Sequence, residues 1–204
     1  MSFTRESVLI LVVLPALGGG SAKASDSCLS FAASTVGGVF TDSGQGLGNS
    51  FSYSVAVGDL DGDGDLDAMV ANANQPNRVW LNDGAGAFTD SGQALGNRQS
   101  QSVALGDLDG DGDLDAMVAN DFGAANRVWL NDGAGAFTDS GQALGNRDSL
   151  SVALGDLDGD GDLDAMVGNY AQPNRVWIND GAGTFTDSGQ ALGNRASFSV
   201  ALGD

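Results

Sequence analysis

Asp59-Leu60-Asp61-Gly62-Asp63-Gly64-Asp65-Leu66-Asp67 occurs three times in the chain, returning letter for letter at 107–115 and 156–164. Five carboxylates in nine residues repel one another. At an effective dielectric of about 20, two such charges ~4 Å apart cost ~4 kcal/mol. The stretch therefore predicts a loop built around a cation. Asp59, Asp61 and Asp63, at loop positions 1, 3 and 5, set three side chains about one point. Gly64 at position 6 permits the sharp turn, the carbonyl of Asp65 at position 7 can face inward, and Asp67 at position 9 closes the shell. The same parts fall to Asp107, Asp109, Asp111, Asp113 and Asp115, with Gly112, and to Asp156, Asp158, Asp160, Asp162 and Asp164, with Gly161. An all-oxygen, carboxylate-rich shell suits Ca²⁺ better than a softer metal, so three Ca²⁺ sites are expected.

The flanks decide what carries the loop. An EF-hand needs Glu at position 12, where this chain has Val70, Val118 and Val167, so that motif is rejected. Before the first loop stands a short alternating run, Ser54-Val55-Ala56-Val57-Gly58, and after it an apolar run, Ala68-Met69-Val70-Ala71. Neither has helical length or period, and both read as strands. The loop then joins two strands of a β-hairpin.

A longer period surrounds the loops. Phe40, Phe88, Phe137 and Phe185 are separated by 48, 49 and 48 residues, and Asp59, Asp107, Asp156 and Asp204 keep the same spacing. Each unit offers four strand candidates, taken here from the second: Ser102–Asp107, Asp115–Asn120, Asn126–Asn131 and Ala136–Asp139. The turn Asp132-Gly133-Ala134-Gly135 favours positive φ and a tight hairpin between the last two. A Gly-rich link, Ser140–Asn146, leads to the next unit. Four antiparallel strands per unit of this length compose one blade of a β-propeller, and a β-solenoid is the weaker alternative.

The expected fold is thus all-β, a β-propeller of four-stranded antiparallel blades at about 52–91, 101–140 and 149–188, with partial blades at 38–43 and 197–204. Closed propellers hold about 4–8 blades, so the chain is expected to be a fragment of a larger one. Trp80, Trp129 and Trp177 recur at one blade position and the Phe residues at another. They read either as a stacking platform for sugars or as packing between blades, and recurrence per blade favours packing. Arg78, Arg127 and Arg175, two residues before each Trp, are expected to pair with Asp or to cover apolar surface with their stems.

The net charge is −19, from 27 acidic and 8 basic residues, and fifteen of the acids lie in the three loops. A nucleic-acid partner is excluded on this balance, since phosphate binding needs Lys and Arg patches. Residues 1–24 read as a secretory signal peptide, with an apolar core at 8–17 and Ala22-Lys23-Ala24 as an A-x-A cleavage pattern. Residues 25–37 read as a linker. That core is too short to span a bilayer and no other segment is longer, so no membrane span is expected and the chain reads as secreted or held at the cell surface. Cys28 is the single cysteine and cannot form an internal disulfide, which leaves calcium as the expected staple of the fold.

At this point the residues resemble a known family. Phe51 through Asp59, then the acidic loop, then Ala68-Met69-Val70-Ala71-Asn72 resembles the FG-GAP repeat. With Arg78-Val79-Trp80-Leu81-Asn82-Asp83-Gly84 and Gly86-Ala87-Phe88 the unit is similar to the bacterial VCBS form, and a related repeat builds the propeller of integrin α subunits. The resemblance covers 38–204. It implies Ca²⁺ in the hairpin between strands 1 and 2, held by Asp59, Asp61, Asp63, Asp67 and the carbonyl of Asp65, and likewise in the other two loops. Phe51-Ser52 stands where the family has Phe-Gly. Ala71-Asn72-Ala73, Ala119-Asn120-Asp121 and Gly168-Asn169-Tyr170 stand where it has Gly-Ala-Pro, a departure that bears on integrin-type contacts and not on the metal loop.

Catalysis needs a tunable acid, base or nucleophile. This chain has no His, no Lys after Lys23, and no Glu but Glu6. The expected function is therefore a secreted calcium-binding scaffold for adhesion or ligand binding, without catalysis. The alternative, suggested by the resemblance, is the propeller part of an extracellular hydrolase or lyase acting on polysaccharide. The units differ mainly in two connections. One joins strands 2 and 3 (Ala73–Pro76, Asp121–Ala125, Tyr170–Pro173), and the other joins strand 4 to the next strand 1 (Gln99–Gln101, Asp148–Leu150, Ala196–Phe198). Both lie at the end opposite the acidic loops, so a protein or carbohydrate ligand is expected there.

Overall fold

The computed structural model describes residues 42–203. The expected signal peptide, the linker with Cys28, Gly38–Thr41 of the first partial blade, and Asp204 lie outside the described residues. Twelve strands fall into three four-stranded antiparallel sheets, and no helix occurs among the described residues. The first sheet holds β1 (Ser52–Gly58), β2 (Asp67–Asn72), β3 (Arg78–Asn82) and β4 (Phe88–Asp90). The second holds β5 (Ser100–Gly106), β6 (Asp115–Asn120), β7 (Arg127–Asn131) and β8 (Phe137–Asp139). The third holds β9 (Ser149–Gly155), β10 (Asp164–Asn169), β11 (Arg175–Asn179) and β12 (Phe185–Asp187). Strand order follows chain order in each, as in propeller blades.

The second strand of each sheet is buried on both faces. β6 is buried along its whole length. Ala116 and Val118 point to the first sheet, where Leu60, Met69, Ala71, Val79 and Leu95 meet them with Val103, Trp129 and Phe137. Met117 and Ala119 point to the third sheet, against Val152, Ala165, Val167, Trp177 and Phe185. The recurring Trp and Phe thus fill the space between sheets. A pleated strand presents alternate residues to opposite faces, so one apolar run serves two interfaces. No single sheet can bury both faces alone, which is why the unit recurs.

Strand 1 begins earlier than the alternation alone predicts. β5 starts at Ser100, not Ser102, because a register shift between Ser100 and Ser102 interrupts the period the eye follows, and β1 and β9 shift likewise. Just past that shift Ser54 Oγ accepts the amide of Val103, and Ser102 Oγ that of Val152, across the sheet interface. Residues 197–203, expected to open a further blade, form no strand. Val200 N still donates to Ser151 Oγ, and Leu202 packs over Gly155 as Leu154 does over Gly106, so the segment lies where strand 1 belongs. Among the described residues no second strand pairs with it, and a strand is defined by its ladder.

Two joints hold neighbouring sheets in step. Gln93 Nε2 donates to Gly135 O at 2.6 Å while its Oε1 accepts the Phe137 amide at 2.7 Å. Gln142 does the same to Gly183 O and Phe185 N, and Gln45 to Gly86 O and Phe88 N. Gln93 and Gln142 sit in the link after strand 4, and each of the three clasps the 3–4 hairpin of the sheet that follows it. The links also return beside strand 3, with Leu95 and Leu144 bridged to Asn77 and Asn126 and buried beneath the next sheet's Trp.

Gln142→Ala removes both bonds of one clasp and leaves the Phe185 amide unpaired, so it should cost about 1–3 kcal/mol in urea unfolding. Gln190→Ala is the internal control: the Gln190 side chain makes no such clasp among the described residues, and its replacement should cost less than ~0.5 kcal/mol.

Candidate metal centre

The nine-residue loop links strands 1 and 2 of each sheet, and its own side chains shape it. Asp59 Oδ1 accepts the Gly62 amide at 2.8 Å and Oδ2 the Gly64 amide at 3.0 Å. Asp61 Oδ1 accepts from Asp63 N, and Asp63 Oδ1 from Asp65 N. Asp107 and Asp156 fold their loops in the same way. Gly64, Gly112 and Gly161 adopt φ of 93°, 97° and 100°, where a side chain is strained, which explains glycine at position 6.

Position 9 is the anchor. Asp67, Asp115 and Asp164 are fully buried. Asp67 Oδ2 accepts the Leu60 amide and Oδ1 the Asn82 amide, both at 2.8 Å, so one carboxylate ties the start of the loop to the end of strand 3. Asp115 and Asp164 repeat the pair with Leu108 and Asn131, and with Leu157 and Asn179. Around this anchor the oxygens of positions 1, 3 and 9 converge. Asp59, Asp61 and Asp67 each place one within 4.8 Å of the others, as do Asp107, Asp109 and Asp115, and Asp156, Asp158 and Asp164. The remaining expected residues stand outside these triads. Asp63, Asp111 and Asp160 are exposed and accept the amide two residues on. Asp65, Asp113 and Asp162 lean over the 3–4 hairpin, where a Cβ on Gly84, Gly133 or Gly181 would collide with their carboxylates.

Each triad can hold a metal ion, and the donor chemistry fits a hard divalent cation. All donors are carboxylate oxygens, each with a second lone pair beyond the one its amide uses. Among the described residues the arginine–aspartate pairs are Arg78–Asp90, Arg127–Asp139 and Arg175–Asp187, so none reaches a loop. Three carboxylates, one of them buried, thus stand together without a cationic side chain, an arrangement that a bound cation completes.

The electrostatics register the same strain. Burial pushes the Asp115 carboxyl up to about 6, against the opposing pull of the Asn131 and Leu108 amides and with help from the charges of Asp109 and Asp111. Asp61, Asp109 and Asp158 are also raised, chiefly by desolvation, then by neighbouring loop carboxylates. In the 3–4 hairpin the sign reverses: Asp83 is lowered by the Ala87 and Ala85 amides that it caps.

The loop is also a joint between sheets. Asn131, buried at the end of β7, donates through Nδ2 to Leu60 O of the preceding sheet's loop at 2.9 Å, and Asn179 donates to Leu108 O at 2.8 Å. A Cβ on Gly62 would lie 3.3 Å from Gly133 O, so the loop of one sheet abuts the hairpin of the next. The first two triads are accordingly half-covered, whereas Asp156 and Asp158 of the third are exposed. Sequence reading passed over these asparagines. Their signal was the Asn that ends strand 3 in every unit, Asn82, Asn131 and Asn179.

The family model of the FG-GAP-like repeat matches three times, over residues 59–118, 107–167 and 156–204, each match opening on the first Asp of a loop. No curated protein matches the chain.

A carboxyl raised in the fold favours folding most below its ordinary value of 3.8 and loses that contribution as pH rises through about 6. For Asp115 the change, reduced by solvent screening, is on the order of 1–3 kcal/mol. The chelated protein should therefore lose stability in urea between about pH 4 and 6. A saturating divalent cation should reverse the slope, because it binds the deprotonated loop and competes with protons.

Proposed function

The chain belongs to the FG-GAP-like repeat family, and from that premise we propose that it is a secreted, Ca²⁺-stabilised scaffold of blade repeats that holds a ligand and performs no catalysis of its own. One observation carries this reading: three times over, a fully buried Asp converges with two further carboxylates where no cationic side chain reaches. Carboxylate-only ligation in a flexible loop favours Ca²⁺ over the borderline and soft metals. Mg²⁺ keeps several waters and demands stricter geometry. Bound Ca²⁺ would offset two of the loop's negative charges and lock the hairpin that the next sheet's Asn131 or Asn179 grips. Such a staple suits a calcium-rich extracellular compartment, in line with the signal-like first 24 residues. No helix among the described residues is long and apolar enough to cross a membrane.

The non-catalytic reading rests on scarcity. Beyond Lys23 the sequence holds no His, Lys or Glu, and its aspartates are concentrated in the metal loops. The ligand-facing part is the end opposite the loops. There Phe122 and Tyr170 stand exposed on the 2–3 connections, and Tyr170 meets Phe198 edge to face at 6.0 Å.

Calorimetry should show saturable binding of three Ca²⁺ per chain, with dissociation constants of about 10⁻⁴–10⁻³ M. At Ca²⁺ ~30 times the dissociation constant, each site should add about 2 kcal/mol of stability. Asp109→Ala should reduce the stoichiometry to two, and heats of simple dilution in the wild-type protein would refute the calcium reading.

A further inference from the structure

All six arginines beyond residue 23 stand in two series, Arg78, Arg127 and Arg175 on strand 3, and Arg98, Arg147 and Arg195 in the link that leads to strand 1. The two series meet in clefts between successive sheets. The cleft between the first and second sheets has room of about 130 Å³ and is lined by Asn77, Arg98, Ser100, Arg127, Trp129 and Asp139 among others. It lies at the Ser100 end of β5, whereas the acidic loop follows Gly106 at the other end. Seven residues of strand separate the two by about 20 Å, more than two Debye lengths at physiological salt. The positive charge of the repeats is thus gathered at the end away from the carboxylate loops.

The donors in this cleft have work left undone. Arg127 is fixed by one bond, from Nη1 to Gln142 O at 2.9 Å, with Asp139 at 3.8 Å. Its Nε and Nη2 find no protein acceptor among the described residues. Asn77, 3% exposed, accepts the Asn72 amide through Oδ1 and leaves Nδ2 free, and Trp129, 8% exposed, has no partner for Nε1. The equivalent cleft between the second and third sheets shows the same need in closed form. There the room shrinks to about 10 Å³, Arg147 turns to Gln172 Oε1, and Arg175 Nε and Trp177 Nε1 are buried with no acceptor. In the cleft before the first sheet, Ser50 occupies the place of Arg98.

We propose that the cleft between the first and second sheets binds a carboxylate carried on a sugar ring, a uronic acid residue of an extracellular saccharide. This rests on the reading of the chain as a ligand-holding scaffold and names the ligand's chemistry. Two guanidiniums against one Asp139 leave a net positive charge, and a guanidinium edge matches a carboxylate in a paired geometry. The Trp129 indole N–H and the Asn77 amide add donors that ring and hydroxyl oxygens accept. The room equals about four waters, so a ring seated there exchanges ordered water for these donors.

The test uses the calcium-loaded full chain, whose three tryptophans give three indole N–H signals in nuclear magnetic resonance. Galacturonate should shift the Trp129 signal saturably, more weakly as salt is raised, while galactose at equal concentration should not. Arg98→Ser, an exposed change to the residue found at Ser50, should weaken galacturonate by about tenfold, and Ca²⁺-dependent melting should stay as in the wild type. Acetate should bind more weakly than galacturonate. The proposal is overturned if galacturonate shifts no indole signal, if galactose matches it, if acetate binds as tightly, or if Arg98→Ser leaves its affinity unchanged. Loss of Ca²⁺-dependent melting in the wild-type chain would instead count against the scaffold reading.

Discussion

The fold depends on one buried carboxylate per repeat. Asp67, Asp115 and Asp164 have no exposed surface, yet each shares its loop with four other acids. An isolated charge in such a place would be neutralised by proton uptake, and the raised Asp115 is on that path. What keeps the position acidic is geometry. Its two oxygens satisfy the amide that starts the loop and the amide that ends strand 3, a task no apolar residue can perform. The carboxylate is at once the hairpin's brace and the deepest donor of the metal triad. A cation held by the triad would therefore bind in the same equilibrium that folds the loop.

From that brace the coupling runs between sheets. Asn131 is fixed at its amide by Asp115 of its own sheet, and its side chain reaches Leu60 O in the loop before. The Gln93 clasp ties the same two sheets through the 3–4 hairpin. Between the joints lies the apolar layer that alternate residues of β2 and β6 share. A repeat array of this kind is stabilised by nearest-neighbour interfaces, so disrupting one buried carboxylate loosens two sheets and leaves distant ones unaffected.

Charge is arranged along the strands as well as between the sheets. The acidic loops occupy the end that follows strand 1, and the arginines occupy the other. Phe122 holds a φ of 54° in its 2–3 connection, and Asn74 and Ala171 hold 53° and 51° at the equivalent places. Positive φ at non-glycine residues marks backbone constrained by its surroundings. Beside Phe122, Gly123 N donates to Asp148 Oδ1 of the next link at 2.7 Å, which ties this connection to the following unit. The end with variable sequence is thus firmly built.

The amino-acid sequence by itself determined the hairpins that recur in each unit. The identical acidic loops, the Asp-Gly turns and the apolar run of Asp115–Asn120 specify the hairpins, because each is set by neighbours in the chain. The bounds read for that strand coincide with β6. Tertiary structure alone decided what depends on the next unit. Asn131 meets Leu60 across 71 residues, Gln142 meets Gly183 across 41, and Trp129 closes a cleft with Arg98 only because two sheets stack. It also brought oxygens of three aspartates in each loop within 4.8 Å of one another and set the aspartate at position 7 against the adjoining hairpin. Periodicity names the residues a repeat needs, while the packing of one repeat on another assigns them their partners.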